Sequence, residues 1–303
     1  MHTKFGRKRV LFLLGLLLSI ILCMYLFLSQ GSFFHLWSRY SSRHIPFTLW
    51  QNSISQRVDP TVFCWVTTMP SNHQSKAVHV KNTWLRRCDG YVFISSEEDA
   101  SLPAVALTHR EGRNLLWNKT ASALDYLSTF YGDHYDFFYK ADDDTYAIVD
   151  NLKLLLRKFN SSSPLLMGYT HKAFLPEGYP SGGAGYVLSR AALHLMVRGL
   201  KTVDDCSNNA NIFAEDVKIG ACAQALHIPL LDSYDEDGGC HFYYESPFKR
   251  LSSSKMNTPF NFLNQHCSRC CCAHQPVSFH YIEPQEMYFL DYLLYTARSR
   301  PNS

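Results

Sequence analysis

The sequence predicts an α/β fold, a mostly parallel central sheet flanked by helices, behind one N-terminal membrane-spanning helix. Three observations predict it. From about Asp59 onward, short apolar runs alternate with helically spaced ones, the pattern of parallel strands joined by helical crossovers. Ahead of them, Val10 to Leu28 is an uncharged apolar stretch of 19 residues that follows a basic flank. Hydrophobic residues make up 46% and charged residues 18% of the 303, a balance that excludes a disordered chain and provides for a large core.

The first nine residues hold Lys4, Arg7, Lys8 and Arg9 and no acid. Against 26 Asp and Glu the chain has 29 Lys and Arg, a formal net charge of +3; without these four, 25 basic residues face 26 acids. The remainder is therefore near neutral, unlike a nucleic-acid binder with its concentrated basic face. As a helix, VLFLLGLLLSIILCMYLFL would measure roughly 28 Å, the thickness of a bilayer's hydrocarbon. A cleaved signal peptide has a shorter apolar core ending in small residues, whereas Leu26, Phe27 and Leu28 are bulky. The basic flank stays cytoplasmic by the positive-inside rule. Residues 1–9 are thus expected to be a cytoplasmic tail and 10–28 the signal anchor of a single-pass type II membrane protein. Residues 29–58, without a clear period, read as a stem, and 59–303 as a lumenal catalytic domain.

Ten cysteines fit that placement. Cys23 lies in the span, and Cys64, Cys88, Cys206, Cys222, Cys240, Cys267, Cys270, Cys271 and Cys272 lie beyond it. An oxidising lumen would join most of these nine into disulfides and leave one thiol over. Cys267 and Cys270 with His274 also have the spacing of a zinc site. Two sequons, Asn118-Lys-Thr120 and Asn160-Ser-Ser162, are compatible with a lumenal domain.

Within the domain, Thr61–Thr67 (TVFCWVT) reads as a strand, Ala77–Arg87 as a helix carrying Val78, Trp84 and Leu85, and Gly90–Ser95 as a second strand. Leu115, Leu116, Leu124 and Leu127 recur at helical spacings, predicting a long helix over Arg113–Tyr131. Asp136–Ala141 reads as a strand ending in acids, followed by a helix over Ile148–Phe159. Ligands of such sheets bind beyond the carboxyl ends of the strands, where Asp142, Asp143 and Asp144 sit.

Neither packing nor solubility requires three consecutive carboxylates there, and like charges so close repel unless a cation joins them. Oxygen ligands favour magnesium, calcium or manganese, and such a metal could neutralise a departing diphosphate. An acidic turn capping the next helix explains the triplet equally well. Gly182-Gly183-Ala184-Gly185 lets the backbone approach a ligand and precedes a helix, although such turns are often structural. Glu215 and Asp216 open a helix, where acids ordinarily serve as caps and where a carboxylate beside a sugar pocket could act as a general base. His280, among apolar neighbours in VSFHY, is either a satisfied core residue or a nitrogen ligand.

Together CWVTTMP (64–70), HVKNTWLRRC (79–88), FISSEED (93–99), EGRNLLWNKT (111–120), KADDDTYAIVDNL (140–152), SGGAGYVLS (181–189), EDVKIG (215–220), CC (271–272) and VSFHY (277–281) resemble the core 1 β1,3-galactosyltransferases. These are the glycoprotein-N-acetylgalactosamine 3-β-galactosyltransferases of glycosyltransferase family 31. The blocks cover residues 60–300 in order. The resemblance implies a Golgi type II enzyme of GT-A fold that uses UDP-galactose and Mn2+. It would transfer galactose, with inversion, to the 3-hydroxyl of GalNAc α-linked to Ser or Thr of a glycoprotein acceptor. It further implies that Asp142 and Asp144 are the Asp-x-Asp pair at metal and nucleotide, with Asp143 beside the nucleotide. His280 corresponds to the C-terminal metal-binding histidine and Asp216 to the catalytic base. Thr67, Met69, Pro70, Glu111, Gly112, Arg113 and Lys119 correspond to the UDP-binding segments. Cys64–Cys88 and Cys206–Cys222 are the expected bridges, with Cys240, Cys267 and Cys270 additional to the family set. A homodimer is an expectation of the same kind.

The chain departs from its relatives before Cys271. Their loop is rich in aromatics including tryptophan; here PFKRLSSSKMNTPFNFLNQHCSRCCC has none and leaves Phe260 and Phe262 to offer an apolar face to a sugar. Two alternatives stand beside the core 1 reading. One is a family 31 transferase with another donor or acceptor. The other is a non-catalytic relative like the chaperone of the core 1 enzyme, a branch that lacks the acidic triplet present here.

Overall fold

The computed structural model describes residues 59–207, 214–248 and 273–297. The predicted tail, span and stem (1–58), Phe260, Phe262 and the cysteines from Cys267 to Cys272 lie outside the described residues. Among the described residues no helix is long and apolar enough to cross a membrane.

β1 (Val62–Thr67) is apolar at nearly every position because both of its faces are covered. Val62, Cys64 and Val66 enter one buried cluster, and Phe63 and Trp65 another on the opposite face, the period of two that a pleated strand imposes. The chain then passes through a short turn (Pro70–Asn72) and one π-helical stretch (His73–Ala77) straight into α1 (Val78–Asn82). The helix predicted over Ala77–Arg87 stops early. The Thr83 hydroxyl donates back to the His79 carbonyl at 2.7 Å, and the Thr83 backbone leaves the helical region at φ −106° and ψ −104°. Only a turn at Leu85–Arg87 follows before Cys88.

β2 (Gly90–Ser95) and β3 (Ala104–Ala106) lie parallel on one side of β1. After α2 (Leu116–Phe130), β4 (Phe137–Asp142) pairs in parallel on its other side. Next come β5 (Tyr146–Ala147) and α3 (Val149–Leu156), shorter than predicted because a turn closes from the Phe159 amide to the Leu156 carbonyl. β6 (Leu166–Gly168), β7 (Thr170–His171), β8 (Tyr179–Pro180) and β9 (Tyr186–Ser189) follow. The glycine turn therefore feeds β9, and the helix predicted after it, α4 (Arg190–Thr202), begins only beyond that strand, capped by the Ser189 hydroxyl. α5 (Glu215–Ala225), β10 (Leu230–Asp232), β11 (Phe242–Tyr243), β12 (Ser278–Phe279) and α6 (Pro284–Tyr295) complete the described elements.

The main sheet has the order β10-β6-β9-β4-β1-β2-β3. Its pairings are parallel except where β9 runs against β4 and β6, so the predicted mostly parallel α/β sandwich forms, with β9 making the sheet mixed. Trp84 and Leu152 pack on one face of the sheet, and Leu124, Leu193 and Ile219 on the other. A small second sheet, β11-β12-β5, carries the chain from β12 back to the acidic loop. Disulfides join Cys64 to Cys88 and Cys206 to Cys222, as expected, and Cys240 is disulfide-bonded as well.

Candidate active site

The register of β1 on β4 sets Thr67 opposite Asp142 at the carboxyl ends of the two strands. There the chain turns sharply: the Thr145 amide donates to the Asp142 carbonyl at 3.1 Å, and the Trp84 indole donates to the Thr145 carbonyl at 2.9 Å. The three aspartates consequently face different partners. Thr67 Oγ1 and Lys140 Nζ both donate to Asp142 Oδ1 at 2.6 Å. Thr68 Oγ1 and Asn72 Nδ2 donate to Asp143 Oδ2 at 2.7 and 2.9 Å. Lys76 Nζ lies 3.1 Å from Asp144 Oδ2.

His280 follows β12, and the Ile282 amide donates to the Asp144 carbonyl at 2.9 Å, drawing this segment onto the acidic loop. His280 Nε2 thereby lies 3.2 Å from Asp144 Oδ1. One ligand atom each from Asp142, Asp144 and His280 falls within 4.8 Å of the others. Two carboxylates and an imidazole converging on one point fit a divalent cation such as manganese, which accepts both donor types. Of the two sequence readings of the triplet, the cap loses ground, since Asp142 and Asp144 stand before β5 and not in the first turn of α3, where only Asp150 is acidic.

These charges have identifiable physical consequences. Burial alone would push the Asp144 carboxyl up, but the His280 hydrogen bond and charge together with Lys76 outweigh it and hold it at about 2. Asp143 goes the other way: burial pushes it up to about 6, and its charged neighbours Asp144 and Asp142 add to the rise against the bonds from Thr68 and Asn72.

The other wall is made by the glycine turn and the start of α5. Gly183 packs directly on the imidazole, so a Cβ there would fall 2.0 Å from the His280 ring. Gly185 adopts φ +82°, where a side chain is strained, and a Cβ would also meet the Tyr139 hydroxyl at 2.5 Å. Glu215 is buried and accepts from Tyr186 Oη at 2.6 Å, and burial raises its carboxyl. Its neighbour Asp216 is half-buried, accepting from the Val217 amide at 2.9 Å on Oδ1.

A cleft of about 590 Å³ opens between these walls. Of the residues singled out from the sequence, Asp142, Asp143, Asp144, Asp216 and His280 line it, as do Thr67, Met69, Glu111, Gly112, Arg113 and Lys119. Lys119 Nζ donates to the Thr68 carbonyl at 2.8 Å and to Glu111 Oε1 at 2.7 Å, tying the two outer segments together. Pro70 stands outside the lining; it opens the short turn Pro70–Asn72, which carries Asn72 to Asp143. Asn72, Lys76 and Lys140 went unassigned in the sequence, and Glu215 is read there only together with Asp216, as a cap or base. For Lys140 a signal existed, a lone cation inside the apolar strand FFYKAD; for Asn72 and Lys76 no local pattern points to the acids about 70 residues on.

Comparison with known proteins shows the family. A family model described as Fringe-like matches residues 58–282. Glycoprotein-N-acetylgalactosamine 3-beta-galactosyltransferase 1 of Xenopus laevis is 38% identical over 256 residues, spanning 82% of this chain and 70% of that protein. Chondroitin sulfate synthase 3 of Homo sapiens is 30% identical over 185 residues, but those cover 54% of this chain and only 21% of the synthase. A Mus musculus beta-1,3-glucosyltransferase is 26% identical over 234 residues, 75% of this chain and 42% of that one.

Proposed function

Because this chain belongs to the Fringe-like family and is a glycosyltransferase, we propose that it is a core 1 enzyme. It moves galactose from UDP-galactose to the 3-hydroxyl of GalNAc-α-Ser/Thr on glycoproteins, with inversion, in a GT-A type fold. What supports the reading is the pairing of that 38% identity with one cleft that holds a carboxylate–carboxylate–imidazole cluster and a half-buried Asp216. Asp142, Asp144 and His280 would hold Mn2+, which supplies positive charge for a departing diphosphate. Thr67, Met69, Asp143, Glu111, Gly112, Arg113 and Lys119 form the walls against which the nucleotide lies, with Pro70 setting the turn behind them. Asp216 takes the proton from the acceptor 3-hydroxyl as that oxygen bonds to the anomeric carbon and the bond from that carbon to UDP breaks. The chain works as a Golgi protein, anchored by 10–28 with 59–303 lumenal, and pairs as a homodimer.

The test uses the full chain in detergent with Mn2+, UDP-galactose and a GalNAc-peptide, following UDP release and the linkage of the product. The β1,3-linked disaccharide is expected. UDP binding without transfer to this acceptor would redirect the reading to another donor or acceptor. Folded protein that binds neither Mn2+ nor UDP would point to a non-catalytic, chaperone-like relative.

A further inference from the structure

Lys140 is a buried cation where three elements meet, its side chain 4% exposed. It sits at the end of β4, donates to Asp142 Oδ1 at 2.6 Å and to the Gly182 carbonyl at 3.0 Å, and lies 3.9 Å from Glu215 Oε2 at the start of α5. Both bonds that Asp142 accepts from side chains, from Lys140 and from Thr67, fall on the same oxygen. That carboxylate is therefore turned so that Oδ2 is left to a ligand. On the other side, the Gly182 residue whose carbonyl Lys140 holds presents its amide to Asp216 Oδ2 at 3.5 Å. One ammonium thus touches the Asp142 side directly and reaches the Asp216 side through a single residue, Gly182. A lysine is an expensive device for packing alone, since burying an ammonium costs several kcal/mol unless it is well paired.

We infer that Lys140 is a positioning residue: it orients Asp142 toward the cation and, through Gly182, holds Asp216 in place. The inference rests on the proposed metal-dependent transfer. A purely structural alternative is that Lys140 only neutralises the buried Glu215, and charge-balanced variants separate the two. Lys140→Met leaves Glu215 uncompensated, whereas Lys140→Met with Glu215→Gln removes both charges.

Mn2+ affinity of the full chain is measured by the electron paramagnetic resonance of free Mn2+, without donor or acceptor, beside the thermal midpoint and the kcat and KM of transfer. If Lys140 positions Asp142, the double variant regains the wild-type midpoint but binds Mn2+ ten- to a hundred-fold more weakly, the usual loss when a residue supporting a metal ligand is removed. Its kcat stays low at saturating Mn2+ because Asp216 remains displaced, and KM for the acceptor changes little. Wild-type Mn2+ affinity and kcat in the double variant would overturn the inference while leaving the proposed function standing. So would a double variant that cannot fold, because Lys140 would then be structural in its own right. Wild-type protein that binds no Mn2+ would remove both.

Discussion

Asp143 carries a charge that the fold does not favour. Its carboxyl stands at about 6 in the folded protein against 3.8 unperturbed, so between those values the folded state binds more protons than the unfolded one. Stability of the metal-free protein should therefore fall as pH rises from about 4 to about 6, and above that the ionised carboxylate costs on the order of 2–3 kcal/mol. Asp143→Asn keeps an oxygen for Thr68 and Asn72 and removes the charge. It should stabilise the metal-free protein by roughly 1–3 kcal/mol at pH 7.5 and by little at pH 4, read from urea unfolding at both values; a gain independent of pH would contradict this. Asp216 is half-buried and has a place in the cleft wall. Asp216→Asn should abolish transfer with UDP affinity nearly unchanged; a collapse of nucleotide binding would show that it holds the donor. His280→Ala should weaken the Mn2+ dependence of transfer, and an unaltered metal titration would return His280 to a packing role.

The turn between β8 and β9 constrains its composition more tightly than a connecting loop needs to. Gly183→Ala places a methyl inside the space of the His280 ring, so it should weaken Mn2+ binding at least about tenfold with little change in the fold, measured by metal titration beside circular dichroism. Strands β1, β2 and β4 were legible in the sequence because TVFCWVT, GYVFIS and DFFYKA are local apolar runs whose composition alone marks a buried strand. The acidic triplet was legible for the same reason, as local contrast against such a run. The break at Thr83 was not, because a hydroxyl bonding to its own helix carbonyl leaves the helical spacing of Val78, Trp84 and Leu85 intact. Nor was the pairing of Lys140 with Gly182 and Glu215, which depends on how β9 and α5 are laid beside β4. The bridge from Cys64 to Cys88 closes a loop of 24 residues between β1 and the chain entering β2. Its loss by double serine replacement should cost about 3 kcal/mol and lower the thermal midpoint by roughly 5–10 °C.

For the molecule as a whole, the two sequons report on location. Asn160 is exposed in a turn where its Oδ1 accepts from the Ser162 amide at 3.0 Å. Asn118 lies within α2, two residues before a buried Thr120 whose hydroxyl donates to Glu215. In secretory cells the chain should carry a glycan that a glycosidase removes, lost in Asn160→Gln and kept in Asn118→Gln; no shift in either would count against a lumenal domain. The small sheet has a further consequence, for the order in which the molecule is assembled. β5 follows directly on the acidic loop, yet its partner β12 comes more than 130 residues later, and His280 arrives with it. Nascent chains fold from the N-terminus as they emerge, and contacts so distant in sequence close slowly. A ribosome-bound chain ending before β12 can pair β1, β2 and β4 and yet lacks His280. Under the proposed metal site, capture of the ion would then report completed synthesis, a checkpoint built into the chain's own connectivity.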